Sequence, residues 1–444
     1  MKNYFLLPTL LLLFLTACKV SMDSTTNNKE SKNISETQAQ SSQESETASI
    51  NLDSLLINHQ YFDLKRHFDK HKDQLPDSKR LFLQGQLQAV FNQRLASNKS
   101  LDQLLTEHEQ ELSTMERLLL LEIAAINSLF LYDYAEAYTH TLQLLSMQEV
   151  VDQKRKEHEN NLINYQALRD AAPQTIEIEP SELSILKDQA GLSRIPISIN
   201  KVEEHVIFDT GANFSVITDS LAEKVGLRII DTSFKVNSIT GLKIDSKLGI
   251  AENVSIGNNR LENVIFLVFP EHSLSFPQID YTIDAILGFP VINALQEIQL
   301  IRGEEFRVTS NTTSDRPSNM AMDFLTPLIE VVEDGRSLPF TFDTGANTTT
   351  LYSEYFKLRE QSILSQGTRD TIMVGGAGGA KEVAIHVYPF SAQIGQATFS
   401  LDSTAVYEQD LQAAAGIYGN LGQDILGQFD TLSLNFREMW INLK

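Results

Sequence analysis

Phe208-Asp209-Thr210-Gly211-Ala212-Asn213 recurs further along the chain as Phe342-Asp343-Thr344-Gly345-Ala346-Asn347. Other landmarks keep the same offset. Gly241 maps onto Gly375, and Leu287-Gly288 maps onto Leu421-Gly422, so each Asp is followed at one fixed distance by an apolar-Gly pair. Each hexapeptide is also followed by helix signals. The first helix is expected from Asp219 as N-cap to Gly226 as its stop, and the second from Ser353. A repeat that keeps sequence, spacing and element order predicts two copies of one lobe, 187–310 and 320–444, joined by an interlobe linker at 311–319.

The repeated residues have a chemical logic. An Asp that ends a strand, with Thr-Gly next, sits on a tight turn where glycine allows close backbone approach. A two-fold arrangement would bring Asp209 and Asp343 together. Two carboxylates about 3 Å apart cannot both ionise, so they share one proton. The ionised partner can draw a proton from a water held between them, and the protonated partner can polarise a peptide carbonyl. Thr210 and Thr344 would hydrogen-bond across the lobe interface, with Gly211 and Gly345 completing the turns. A lone Asp-Thr-Gly is common in turns. Two copies in register, each with a downstream apolar-Gly pair, are far more specific.

Around this repeat the texture is that of an all-β body. From about Ile185, short runs rich in Val, Ile, Phe and Thr alternate with Gly, Asn and Asp turns. Arg194–Ile199 and His205–Phe208 read as the first two strands. Residues 51–170 read as helical instead. Arg117–Ala125 and Ala135–Leu145 place apolar residues at i, i+3, i+4, and Pro76-Asp77-Ser78 marks a helix start. Helix pairs of this length resemble tetratricopeptide-type arrays, but no clean period of about 34 residues is present, and a small helical bundle fits equally. Residues 171–186 are expected as a linker. The fold class is therefore multidomain: an all-α helical module, TPR-like or a bundle, followed by an all-β bilobal body.

The N-terminus carries a processing signal. Met1-Lys2 is a short positive region, and Phe5–Leu15 is an apolar run too short for a spanning helix. It ends in Leu15-Thr16-Ala17-Cys18, which resembles the lipobox of bacterial lipoproteins. Residues 1–17 are thus expected as a signal peptide and Cys18 as the lipidated residue, plain secretion with a stray thiol being the alternative. Several acyl chains on Cys18 would anchor stably where one would not. Residues 18–50 hold no aromatics and are rich in Ser, Thr, Asn, Glu and Gln, the composition of a disordered tether. Cys18 is the only cysteine of the 444 residues, which excludes an intrachain disulfide and a Cys-rich zinc site. The formal charge of −22 argues against nucleic acid as a partner. Residues 187–444 carry 19 basic and 32 acidic groups, so the acid excess is not concentrated elsewhere and serves solubility.

Over about 187–444 the chain resembles clan AA aspartic proteases, the retropepsin and pepsin superfamily. The matching segments are Ile207–Ala212, Phe342–Ala346, Ile286-Leu287-Gly288 and Asn420-Leu421-Gly422-Gln423-Asp424. The resemblance implies that Asp209 and Asp343 are catalytic, that no cofactor or metal is needed, and that the substrate is a peptide or protein. It implies lobes of retropepsin size fused in one chain as an intramolecular pseudo-dimer. It also implies a β-hairpin flap in each lobe, at Ile239, Thr240 and Gly241 in the first and at Gly375, Gly376 and Ala377 in the second. Ala212 and Ala346 stand where pepsins have Ser or Thr. Loss of that hydroxyl removes a hydrogen bond favouring the carboxylate, so the dyad is expected to work at mildly acidic to near-neutral pH. No flap Tyr is present near Gly241 or Gly375, and only the second lobe has the polar Gly422-Gln423-Asp424 form.

Other motifs carry less. Gly375–Lys381 resembles a phosphate loop only in its glycines, since Glu382 follows where Ser or Thr is required. His108-Glu109 lacks the second His of a zinc-protease helix. His205 reads as a surface residue and Trp440 as core of the last strand. The expected activity is an aspartic endopeptidase in the bacterial cell envelope, tied to a membrane through Cys18. Lys19, not Asp, follows the cysteine and favours the outer membrane. The alternatives are a non-catalytic peptide- or protein-binding envelope lipoprotein that keeps the fold, and a purely structural envelope protein.

Overall fold

A computed structural model describes residues 51–150, 152–237, 243–277, 280–309, 316–377, 379–409 and 416–444. An N-terminal helical region is followed by a β-rich region. The helices are Leu52–Ile57, Tyr61–His71, Asp77–Val90, Arg94–His108, Thr114–Phe130, Tyr134–Ser146 and Asp152–Leu168. Thr114–Phe130 begins at a capping box, in which the Ser113 hydroxyl accepts from Glu116 N–H and the Glu116 carboxylate accepts from Ser113 N–H.

Three of the interhelical turns are built alike. His59, Asn92 and Tyr132 each take a left-handed conformation, with φ of 56°, 59° and 59°. The next residue closes each turn by donating to the carbonyl five residues back: Gln60 to Leu55 (2.9 Å), Gln93 to Gln88 (2.7 Å) and Asp133 to Ser128 (2.8 Å). A side chain in this conformation costs about 1–2 kcal/mol that glycine would avoid. Each of the three offsets that cost with a contact to the β-rich region. His59 Nδ1 lies 3.1 Å from Asp323 Oδ1. Asn92 Nδ2 donates to Asn293 Oδ1 (2.9 Å) and to Phe436 O (2.7 Å). Tyr132 Oη donates to Pro290 O (3.0 Å) and accepts from Gln174 Nε2 (2.9 Å). Apolar packing continues the seam, with the rings of Phe130, Phe289 and Phe436 in successive edge contacts.

Among the described residues the β-rich region has two large sheets, a third of five strands and a two-stranded one. In the first, Ala285–Leu287 runs parallel to Val202–Phe208 and antiparallel to Ser215–Thr218. In the second, Gly419–Leu421 runs parallel to Arg336–Phe342 and antiparallel to Thr350–Leu351. Alternation is plain in Ser193–Ile199, where Ser193, Ile195, Ile197 and Ile199 are buried and the residues between them less so. The third sheet takes strands from the start, middle and end of the region, in the order Ser181–Ser184, Glu305–Val308, Glu297–Ile301, Thr431–Asn435, Trp440–Leu443. At its centre Glu297 faces Asn435, Gln299 faces Ser433 and Ile301 faces Thr431. Gln299 and Ser433 are equivalents under the repeat offset that relates Asp209 to Asp343, so this antiparallel ladder is self-complementary, as a local two-fold axis requires.

Two local expectations need correction. Residues 171–186 are not a bare linker: Thr175–Glu177 pairs with Asn259–Phe269 and Ser181–Ser184 edges the shared sheet. These strands are too short to show a period of two in sequence, and pairing from partners far along the chain makes them. The helix Asp219–Lys224 is capped by Thr218, whose Oγ1 accepts from Leu221 N–H, and Asp219 is already its first helical residue. Of 311–319, residues 316–319 are described and lack regular structure. There Asn319 ties itself to Ile441, donating to its carbonyl and accepting from its N–H.

Candidate active site

Each repeated turn is held by the downstream apolar-Gly pair. Asp209 N donates to Leu287 O (3.1 Å) and Phe289 N to Ala212 O (2.7 Å); Asp343 N donates to Leu421 O (3.0 Å) and Gln423 N to Ala346 O (2.8 Å). The glycines are there because backbones touch. A Cβ on Gly288 would lie 2.2 Å from the carbonyl carbon of Phe214, and one on Gly422 2.5 Å from that of Thr348.

Asp209 and Asp343 meet across the two sheets. A Cβ on Gly211 would fall 2.6 Å from Asp343 Cγ, and one on Gly345 2.5 Å from Asp209 Cγ, so each turn glycine makes room for the opposite carboxyl. Thr210 and Thr344 are linked reciprocally. Each backbone N–H donates to the other's Oγ1 at 3.1 Å. Each hydroxyl in turn donates across to the residue before the opposite Asp, Thr210 to Phe342 O (2.9 Å) and Thr344 to Phe208 O (2.8 Å). Asp209 Oδ1 accepts from Gly211 N (2.8 Å) and Ala212 N (3.1 Å), and Asp343 Oδ1 from Gly345 N (2.8 Å).

Asp209 is 0 % and Asp343 1 % exposed. Burial, then the Asp343 charge and the hydrogen bond with it, holds Asp209 well above the usual carboxylate range against the opposing N–H groups of Gly211 and Ala212. Burial pushes Asp343 up to about 6, held back by hydrogen bonds from Asp209, Gly345, Asn420 and Ala346. Such a pair holds one proton over a window of pH and can act as acid and base at once.

Two hairpins and one helix meet in an apolar cluster that includes Ala212 of the first turn. Arg228–Asn237 pairs with Lys243–Ile256, and Thr368–Gly376 with Gly379–Ile394. The second hairpin ends on Gly375, Gly376 and Ala377, all buried. Ala377 belongs to an apolar cluster whose other members include Ala212, Phe214, Phe234, Val236, Tyr165 and Leu168. The helix Asp152–Leu168 lies along the first hairpin, bringing Tyr165 and Leu168 into that cluster, and Lys235 N donates to Asn160 Oδ1 (3.4 Å). Ile239, Thr240 and Gly241, expected at the tip of the first hairpin, lie outside the described residues, as does Cys18.

Three polar residues join the site that sequence reasoning did not assign to it. Asn420 Nδ2 donates to Asp343 Oδ2 (3.4 Å), and Thr341 Oγ1 reaches Asn420 Oδ1 at 2.6 Å. Gln423 Nε2 donates to Thr344 O (2.7 Å). The signal for Gln423 was its polarity beside Gly422, where lobe one has Phe289.

With this geometry in view, one comparison bears directly on the chemistry. Residues 195–291 match the aspartyl protease family model. The matched segment holds Asp209, Thr210, Gly211 and the Leu287-Gly288 pair, and it supports an aspartyl protease relationship over that part of the chain. No curated protein matches the chain.

Proposed function

We propose that the chain is an aspartic endopeptidase whose Asp209/Asp343 pair activates a water against a peptide bond. The observation that carries this reading is the pair itself: two buried carboxyl groups, each seated on the opposite turn glycine, joined by reciprocal threonine hydrogen bonds. In the reaction the ionised carboxylate takes a proton from water while the water oxygen bonds to the carbonyl carbon. The protonated carboxyl gives its proton to the carbonyl oxygen. Collapse of the tetrahedral species breaks the C–N bond, the amine leaves with the proton taken from water, and a hydroxyl of that species gives its proton back to the other carboxylate as the new carboxyl group forms. No covalent enzyme intermediate and no cofactor enters. The Thr210–Thr344 network holds the carboxyl groups in place, and the two hairpins serve as flaps that exclude bulk water.

The two large sheets are read as the lobes of a retropepsin-like pseudo-dimer, which the self-complementary ladder through Gln299 and Ser433 supports. The helical region is read as a TPR-like array, supported by the three like-built turns at His59, Asn92 and Tyr132. In the cell the enzyme would sit in a bacterial envelope, anchored through lipidated Cys18, with peptide or protein substrates. Profiling of proteome-derived peptides tests the activity. Asp209→Asn and Asp343→Asn should each abolish cleavage, and full activity in either would sink the reading. The burial of both carboxyls favours one competing reading, a non-catalytic binding protein that keeps the fold. It predicts no cleavage by the wild type and unchanged peptide binding in both variants.

A further inference from the structure

The two lobes differ at one cross-strand pair next to the carboxyls. In lobe one Ile207 faces Ile286, and in lobe two their equivalents under the repeat, Thr341 and Asn420, face each other. Both members are apolar in one lobe and polar in the other, and all four are buried. The polar pair is ordered in one sense. The Thr341 hydroxyl lies 2.6 Å from Asn420 Oδ1 and 3.2 Å from Gly419 O, so the amide oxygen is engaged by a donor. That fixes the Asn420 side chain with its N–H₂ toward Asp343, where Nδ2 is 3.4 Å from Oδ2. Asp209 has no counterpart: its Oδ2 finds no amide donor among the described residues.

We infer that Asn420, oriented by Thr341, is a positioning residue that gives the dyad a direction, holding Asp343 as the carboxylate that takes the water proton and leaving the shared proton on Asp209. This rests on the proposed peptidase reading. A hydrogen bond to a carboxylate favours its charged form, and the site is dry enough for one donor to matter. The groups acting on Asp343 are few: the Asp209 carboxyl, the N–H groups of Gly345 and Ala346, and Asn420. Asp209 is the only titratable one. The turn N–H groups do not favour Asp343, since Asp209 Oδ1 accepts from Gly211 and Ala212 where Asp343 Oδ1 accepts from Gly345, so the Asn420 amide is the donor that tips the pair toward Asp343.

The test uses the full chain and two variants, Asn420→Ile, which installs the lobe-one residue, and Thr341→Val, which frees the amide. The readouts are carboxyl-carbon NMR titration of both Asp side chains and the pH profile of kcat/KM on a peptide the wild type cleaves. In Asn420→Ile the Asp343 titration and the acid limb of the profile should both move up by about half a pH unit or more, with KM little changed. Thr341→Val should move them the same way by less. A merely structural role would lower stability without displacing either midpoint. Midpoints unmoved in both variants overturn the inference, and if Asn420→Ile does not stay folded, an unmoved Thr341→Val overturns it alone. A displaced Asp343 titration in a wild type that cleaves nothing would uphold the asymmetry while overturning the peptidase reading.

Discussion

Asp209 and Asp343 are buried against their own preference for water, and that has a consequence for stability. Their folded-state pKa values lie above the unfolded ones, so the native state binds more protons than the unfolded chain between them. Stability from this pair is therefore fully present below the unfolded value near 4 and is lost as pH rises through about 6 and beyond. Replacing Asp343 by Asn should raise the melting temperature at pH 7 by about 2 °C or more while removing activity. At pH 4, where the carboxyls are protonated anyway, it should change it little. Scanning calorimetry at the two pH values decides this, and equal effects at both would contradict it. The same values set the activity. The rate should rise with pH through about 6, as the pair loses its first proton. A pH–rate profile peaking near pH 2 would be incompatible with this site. Gly211→Ala should be inactive, because its Cβ would fall 2.6 Å from Asp343 Cγ. At this scale the sequence was informative where the motif repeats: Asp209, Thr210 and Gly211 and their counterparts are legible because two copies in register exclude chance. Asn420 was not, because its role follows from facing Thr341 across a pairing of two strands that lie far apart in the chain.

Among the elements, the helix Asp152–Leu168 and the hairpin Arg228–Asn237/Lys243–Ile256 form the contact that bears most on access. On the proposed reading a peptide would reach the two carboxyls when the hairpins lift, and Tyr165 and Leu168, in one apolar cluster with Phe234 and Val236, would hold the first one down. Asn164 lies buried on the same helix with neither side-chain polar atom partnered among the described residues, and Asn161 Oδ1 is in the same state. Unpaired buried amides make a contact weaker than its area implies. Tyr165→Ala should lower global stability by about 3 kcal/mol and speed hydrogen exchange along residues 228–237. It should also raise kcat/KM on a peptide substrate. A fall in kcat/KM with stability intact at the assay temperature would mean that the helix supports the open state instead. Helices and long strands were readable from periodicity here. The short strands at 175–177 and 181–184 were not, since edge pairing created them. The three interhelical turns were missed for a different reason: His59, Asn92 and Tyr132 occupy a conformation that sequence rules assign to glycine.

For the whole molecule, the helical region and the β-rich region share one seam of polar and aromatic contacts and should unfold together. A single calorimetric transition is expected for residues 51–444. Asn92→Ala, which removes both hydrogen bonds to the β-rich region, should lower its midpoint by several degrees without splitting it. Two separated transitions in the wild type would show that the seam is too weak to couple the regions. The same seam explains why no regular period could be read from residues 51–170. In a free-standing array each repeat is measured against its neighbour. Here His59, Asn92 and Tyr132 act as three pegs, each seated in its own socket at Asp323, at Asn293 with the Phe436 carbonyl, and at Pro290. Spacing is gauged by the distance between sockets, so the stretch from His59 to Asn92 can be shorter than that from Asn92 to Tyr132. Residues added at the far ends of the hairpins, such as exposed Glu109-Gln110-Glu111, leave the pegs in place. A whole hairpin inserted between two pegs carries every later peg past its socket. The length of this helical region is thereby fixed by the body it sits on.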